Sequence, residues 1–253
     1  MLINMAESEE CRVAIVEDGA LEELYVERAN LSRHVGNIYK GKVVNIESGI
    51  QAAFIDFGAG KNGFLHISDL HPKYFPDADS DLTETVGRRK ALKERLPIQN
   101  CLHKGQELVV QVTKEGINTK GPTLSTYLAL PGKFLVMMPW MRKLGISHKI
   151  EDDNERTRLR QILNESRPPK DMGFIIRTAG QGCSKRDIQN DLKYLKRLWS
   201  AIEKRIEAEK APCGIYQESD LVTRTLRDVL NSKVNKIVCD SENVVRKFVI
   251  FFR

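Results

Sequence analysis

Phe54 and Phe64 lie in a stretch from Asn37 to His66 in which apolar and polar residues interleave, first through Ile38, Val43 and Ile46 and again through Ala53, Ile55 and Phe57. That alternation predicts β-strands, and Gly49 and the cluster from Gly58 to Gly63 mark where the chain turns. Lysines recur in or beside these strands at Lys40, Lys42, Lys61, Lys104, Lys114 and Lys120. Separated aromatics on short, bent strands beside a positive groove are what an OB barrel uses to stack unpaired bases and track a phosphate backbone. Phe54 has a second reading: between Ala53 and Ile55 it fits equally well as a ring packed inside the barrel. Phe57 carries the same ambiguity.

A second constellation is Arg177-Thr178, at the start of the loop Arg177-Thr-Ala-Gly180 and directly after the apolar run Gly173-Phe-Ile-Ile176. A guanidinium fork, a hydroxyl and loop amides at a strand end are the groups that hold a terminal phosphate. On the residues alone, a surface ion pair explains the arginine as well. Other chemistries find no purchase. The histidines, His34, His66, His71, His103 and His148, show no metal-ligand spacing, and no nucleophilic triad or glycine-rich nucleotide loop is visible. Cys11, Cys101, Cys183, Cys213 and Cys239 are odd in number and scattered, which fits reduced thiols rather than disulfides or a zinc site. Asp220, Asp228 and Asp240 read as isolated surface or turn aspartates.

The elements that must position these residues follow from pattern. Arg12 to Glu17 and Leu24 to Glu27 read as strands joined by the Asp18-Gly19 turn. Gln106 to Val112 alternates so that Leu108, Val110 and Val112 share a face. The segment 76–100 is polar, with Asp77-Ala-Asp-Ser-Asp81 and the basic run Arg88 to Arg95, and reads as an insertion in the barrel. Leu135 to Met138 and Gly173 to Ile176 read as strands. Asp153 to Glu165 reads as a helix stopped by Pro168-Pro169. A longer amphipathic helix begins at a Ser184 cap with Asp187 three residues on, and its Ile188, Leu192, Leu195, Leu198, Trp199, Ile202 and Ile206 form a core stripe.

With 253 residues, 41% apolar content and a net charge of +6, the chain is long enough for more than one packed unit and favours a polyanionic partner. No apolar run approaches a membrane span, and acidic residues follow Leu2 and Ile3 at once, unlike a signal peptide, so the expected compartment is the cytoplasm. The final stretch ends on Val249-Ile-Phe-Phe252 without a polar tail, which suggests a fragment or a shifted reading frame.

The segments Asn37-Ile-Tyr-Lys-Gly-Lys42, Ala52-Ala-Phe-Ile-Asp-Phe-Gly58, Lys120-Gly-Pro-Thr-Leu-Ser-Thr126, Leu130 to Pro139, Gly173 to Gly180 and Gln217-Glu-Ser219 occur in the order found in the ribonuclease E/G family. The chain resembles the RNA-binding, N-terminal half of such an endoribonuclease, from Met1 to about Asp240, and Lys120-Gly-Pro-Thr-Leu124 is closer to the ribonuclease G branch. The resemblance implies an α+β protein. An OB-fold barrel of five strands (35–126, with the insertion 76–100) would sit within an RNase H-like subdomain made of 1–34 and 223–253. It would be followed by a 5'-end sensor region of mixed structure (127–222) with a long helix over 184–209. It implies RNA contact by Phe54, Phe64 and Lys120, and a 5'-monophosphate pocket of Gly132, Val136, Arg177 and Thr178. Where the family usually carries more basic residues, this chain has Gly145-Ile-Ser-His-Lys149, and His148 would weaken phosphate affinity at neutral pH or make it pH-dependent. The family's magnesium-binding aspartates, and the zinc link between protomers that makes a homo-oligomer, fall beyond residue 253. This chain would therefore bind single-stranded RNA without cleaving it. An OB-fold RNA-binding or translation-associated module without catalysis is the alternative. A nuclease using Asp220 and Asp240 is a third.

Overall fold

The computed structural model describes residues 1–5, 10–28, 34–76, 96–142, 144–229, 234–242 and 244–245. The polar segment 77–95, with its acidic and basic runs, and the apolar end 246–253 lie outside these residues. The chain divides into two compact units, His34–Glu218 and a second formed by Met1–Arg33 with Ser219–Arg253.

In the smaller unit the alternating N-terminal sequence gives β1 (Leu2–Asn4), β2 (Glu10–Glu17) and β3 (Ala20–Arg28), and the late segment adds β14 (Val238–Cys239). The sheet order is β14-β1-β2-β3. The β2–β3 hairpin is longer than its apolar runs predict and turns through Asp18 and Gly19, both at positive φ (49° and 82°), the backbone that a two-residue hairpin loop requires. β14 lies parallel to β1, with Leu2 opposite Val238. One sheet face, through Ile3 and Val13, packs on Leu221, Val222 and Leu226 of helix α4 (Leu221–Val229). Asp220 accepts the Thr223 amide (2.8 Å) at the helix start, and Asp240 accepts from Asn4 Nδ2 (2.6 Å) and the Met5 amide (2.7 Å). These two carboxylates hold local structure, and Asp228 pairs with its neighbour Arg227 at 3.1 Å.

The larger unit is built on a closed five-stranded barrel of β4 (Ile38–Glu47), β5 (Ala52–Asp56), β6 (Gly63–His66), β7 (Glu107–Lys114) and β8 (Thr123–Ser125). β4 closes it by pairing with β5 through its second half and with β7 through its first. Val43, Ile55, Phe57, Leu65, Leu108, Val110, Val112 and Leu124 fill the interior, with the turn α1 (Ile98–Cys101) contributing Ile98 and Cys101. Phe57, 1% exposed, is core.

A second core shares walls with the first. Ile38 and Val109, on the outer side of β4 and β7, join the cluster around Leu135, Phe174, Ile188 and Trp199. The sheet there runs β11 (Leu144–Ile146), β12 (Met172–Ile176), β10 (Leu135–Pro139) and β9 (Leu130–Pro131), and β13 (Cys213–Tyr216) extends the barrel sheet beside β4. Buried Gln111 on β7 ties the two parts together. Its amide donates to the Gly36 and Ala129 carbonyls (2.8 and 3.0 Å) and accepts the Ala129 N–H at 2.8 Å. Two helices cover this second core. α2 (Asp153–Glu165) is capped by Asp152, and α3 (Lys185–Ala208) opens on a complete Ser184–Asp187 capping box. Trp199 is 2% exposed and meets Trp140 edge-to-face at 5.4 Å, so the apolar stripe of α3 is core. All five cysteines are free thiols.

Candidate nucleic-acid interface

Phe54 and Phe64 point away from the barrel interior. They are direct cross-strand partners on β5 and β6, both half-buried, with ring centroids 6.1 Å apart and planes at 68°. This settles Phe54 against the core reading, because Ala53 and Ile55, its neighbours on the opposite face, are fully buried. The two rings line a groove of about 680 Å³ with Lys61, Asn62, Thr119, Lys120, Gly121 and Thr123. The loop bearing Lys120 is held against the strand bearing Phe64 by backbone pairing: the Phe64 amide donates to the Pro122 carbonyl at 2.8 Å. Gly121 presses against the Asn62 carbonyl where a Cβ would have no room, so glycine is what permits this approach.

The flanking lysines divide by role. Lys61 Nζ donates to the Asn118 carbonyl at 2.7 Å, bracing the two loops of the groove. Lys120 forms no ion pair among the described residues. Lys40 does not serve the groove: its ammonium donates to the carbonyls of Ile206 and Glu209 (3.1 and 2.9 Å) and pairs with Glu107 at 3.1 Å. A lysine in a barrel strand is here a structural cation, a distinction alternation alone does not make.

Gly132, Val136, Arg177 and Thr178 come together at one end of the second sheet. β10 and β12 are antiparallel with Leu135 opposite Ile176 and Val136 opposite Ile175, which brings the residues before β10 beside those after β12. Arg177 Nη1 donates to the Gly132 carbonyl at 2.7 Å, and the Arg177 amide donates to Phe134 at 2.8 Å, fixing the guanidinium at the sheet end. Thr178 begins a short 3-10 turn and is exposed; the first amides of such a turn have no partner within it. The parallel neighbour β11 ends at the same level, its Ile146 opposite Ile176, and brings Ser147 and the exposed His148 and Lys149 alongside.

Sequence reasoning missed the residue that shapes this corner. Asp191 of α3, 8% exposed, accepts the amides of Lys133, Phe134 and Leu135 at 3.0, 2.8 and 2.8 Å. A Cβ on Gly132 would come within 2.5 to 2.8 Å of that carboxylate, so the loop closes on Asp191 only with glycine there. The signal was present as an acid set among Ile188, Leu192 and Leu195 on the buried face of an amphipathic helix, where a carboxylate survives only with partners.

Among the described residues no three His, Cys, Asp or Glu side chains are grouped to hold a metal ion, and no helix is long and apolar enough to cross a membrane.

Two family descriptions match the chain: "S1 RNA binding domain" over residues 33–126 and "Ribonuclease E/G family" over residues 129–253. The putative ribonuclease E of Buchnera aphidicola subsp. Baizongia pistaciae is 40% identical over 246 residues, 97% of this chain and 57% of that protein. Ribonuclease E of Escherichia coli strain K12 is 39% identical across 97% of this chain, and ribonuclease G of the same strain is 38% identical across 95%. These identities do not favour the G branch over the E branch. The chain spans 22% of that ribonuclease E and 47% of that ribonuclease G. Its barrel is an S1 RNA-binding domain of OB fold, and the chain belongs to the ribonuclease E/G family.

Proposed function

We propose that this chain is the RNA-gripping portion of an endoribonuclease that processes RNA in the cytoplasm, holding single-stranded RNA on the barrel and its 5'-monophosphate at the sheet corner. The observation that carries this reading is the pair of outward rings, Phe54 and Phe64, set side by side above Lys120 on the closed barrel. Bases stack on the rings while Lys120 neutralises a phosphate, and neither contact reads sequence. At the corner, Arg177 donates in-plane hydrogen bonds to the terminal phosphate, the Thr178 hydroxyl and amide add donors, and the Gly132 carbonyl holds the arginine in position. The ribonuclease E/G match over residues 129–253 supports this over a barrel module without nuclease kinship.

Strand cleavage belongs to the whole protein. In that reading magnesium is held by downstream aspartates, zinc joins protomers into an oligomer, and the small unit is the RNase H-like subdomain. The residues here supply grip and end recognition, so the 253-residue chain with magnesium is expected to leave single-stranded RNA intact in a gel assay.

Two binding measurements test the proposal. Phe54→Ala and Phe64→Ala should each weaken binding of an unstructured oligonucleotide by ~1 to 3 kcal/mol. Unchanged affinity in the folded double variant removes the stacking role. Oligonucleotides with a 5'-monophosphate should outcompete 5'-hydroxyl ones, and Arg177→Ala should abolish the preference while sparing the general affinity. Equal competition in the wild type counts against the pocket.

A further inference from the structure

Helix α3 buries one side through Ile188, Leu192, Leu195, Trp199 and Ile202. Along the opposite side run Arg186, Lys193, Arg197 and Lys204, at spacings of seven, four and seven residues. At 3.6 residues per turn these fall on one line of the helix surface, ~27 Å long at about 1.5 Å per residue. All four are exposed and form no ion pair among the described residues.

The positions nearest that line between them, Asn190 and Ser200, are neutral. The acids of α3 are mostly elsewhere: Asp187 closes the capping box, Asp191 is buried under the sheet corner, Glu203 lies about 100° round one flank, and Glu207, about 60° round the same flank, neighbours only the last cation, Lys204. A solvated helix face ordinarily alternates charge, as α2 does where Arg158 pairs with Glu155 at 2.6 Å. An unbroken row of cations instead creates a line of positive potential on a rigid element.

The exposed aromatic of α3, Tyr194, lies about 80° round the helix from this line, so the line itself carries no ring for unpaired bases to stack on. It matches a ligand read through its phosphates alone, as base-paired RNA is, because the deep major groove of an A-form helix closes the base edges to side chains. A lipid surface is the poorer match, since a helix lying on a membrane commits its apolar side to the bilayer, and here that side is consumed by the core. We propose that the outward face of α3 is a second RNA site, which grips the phosphate backbone of a base-paired segment independently of the barrel groove. The choice of RNA among polyanions rests on the RNA-binding reading of the barrel.

The test compares two probes on the full chain: an unstructured 12-nucleotide RNA and a blunt RNA hairpin with no single-stranded tail. The variant K193Q/R197Q/K204Q removes three cations without disturbing a buried side chain. It should bind the hairpin about tenfold more weakly, with the slope of log affinity against log salt reduced by about 3, one for each phosphate that is no longer neutralised. Binding of the 12-mer should stay within about twofold. The charge-matched control R160Q/K170Q/K236Q, at exposed positions off the line, should keep hairpin affinity. Phe54→Ala/Phe64→Ala should show the reverse pattern, losing the 12-mer and keeping the hairpin; failure of that arm alone faults the barrel reading and leaves the α3 site standing. Hairpin affinity unchanged in the triple variant, an equal loss for both RNAs, or an equal loss in the control overturns the α3 site. So does a triple variant that loses binding only to phosphatidylserine-containing vesicles.

Discussion

At Asp191 one carboxylate sets the geometry of a loop it does not belong to in sequence. Three amides from Lys133, Phe134 and Leu135 converge on it, and bonds to a charged acceptor are worth ~1.5 to 3 kcal/mol each where the group is buried. Asp191→Asn keeps the volume but removes the charge and turns one oxygen into a donor facing backbone N–H groups. It is expected to destabilise the larger unit by about 2 to 4 kcal/mol in urea unfolding. It should also blunt the proposed discrimination of the 5'-phosphate, because the Gly132 carbonyl that anchors Arg177 sits on the same loop. A variant of native stability would show that the loop holds its shape without the carboxylate. The residue types of the corner were legible in Arg177-Thr178, though a fork and a hydroxyl after a strand fit a surface ion pair as well as an anion. What joins them was not, because the contact between residues 132 and 177 depends on an antiparallel register that neither segment displays alone. Phe54 shows the same limit, since its inward and outward readings differ only by the phase of one strand.

At the scale of elements, α2 and the start of α3 are fastened by Glu155 and Arg158. Glu155 receives both nitrogens of the Arg158 fork (2.6 and 2.7 Å) and the Gly182 amide (2.8 Å), while Arg158 Nη1 donates to the Cys183 carbonyl at 3.0 Å. The Arg158 hydrogen bonds are the main cause that lowers the Glu155 carboxyl from 4.5 to about 2. A carboxylate whose pKa falls on folding contributes stability that is complete above its unfolded value and disappears as pH drops through its folded value. Arg158→Gln should therefore be less stable than wild type at pH 7, by about 1 kcal/mol for so exposed a pair. The gap should close between about pH 4.5 and pH 2, and thermal unfolding across that window measures it. A gap that persists at pH 2 would assign the effect to lost packing instead. Both helices were readable from sequence because their signals are local: a cap, a stripe, a stop. The strands β9, β11 and β13 are two to four residues long and were not, as segments so short carry no period.

The whole molecule joins its two ends in one sheet, with Leu2 opposite Val238. No local pattern announces a parallel pair so distant in sequence, and only likeness to the ribonuclease E/G family suggested it. The larger unit is continuous in sequence, and its Gln111 amide and the shared β4 and β7 walls connect its two cores. Residues 34–218 are therefore expected to fold as an isolated polypeptide with a single unfolding transition and to retain the affinity of the whole chain for the unstructured 12-mer. Two resolved transitions would show that the cores separate.

Those shared walls also make the two candidate RNA contacts thermodynamically visible to one another. Because Ile38 and Val109 belong to the second core while Val43 and Val110 on the same strands belong to the first, opening either core exposes the other. An oligonucleotide too short to leave the barrel groove, bound at one hundred times its dissociation constant, stabilises whatever unfolds with the barrel by about 2.7 kcal/mol. Backbone amides of β12, which never touch that ligand, should then exchange with solvent about a hundredfold more slowly wherever exchange requires opening of the whole unit. Occupancy at the rings would thus be written into the exchange rates beside Arg177.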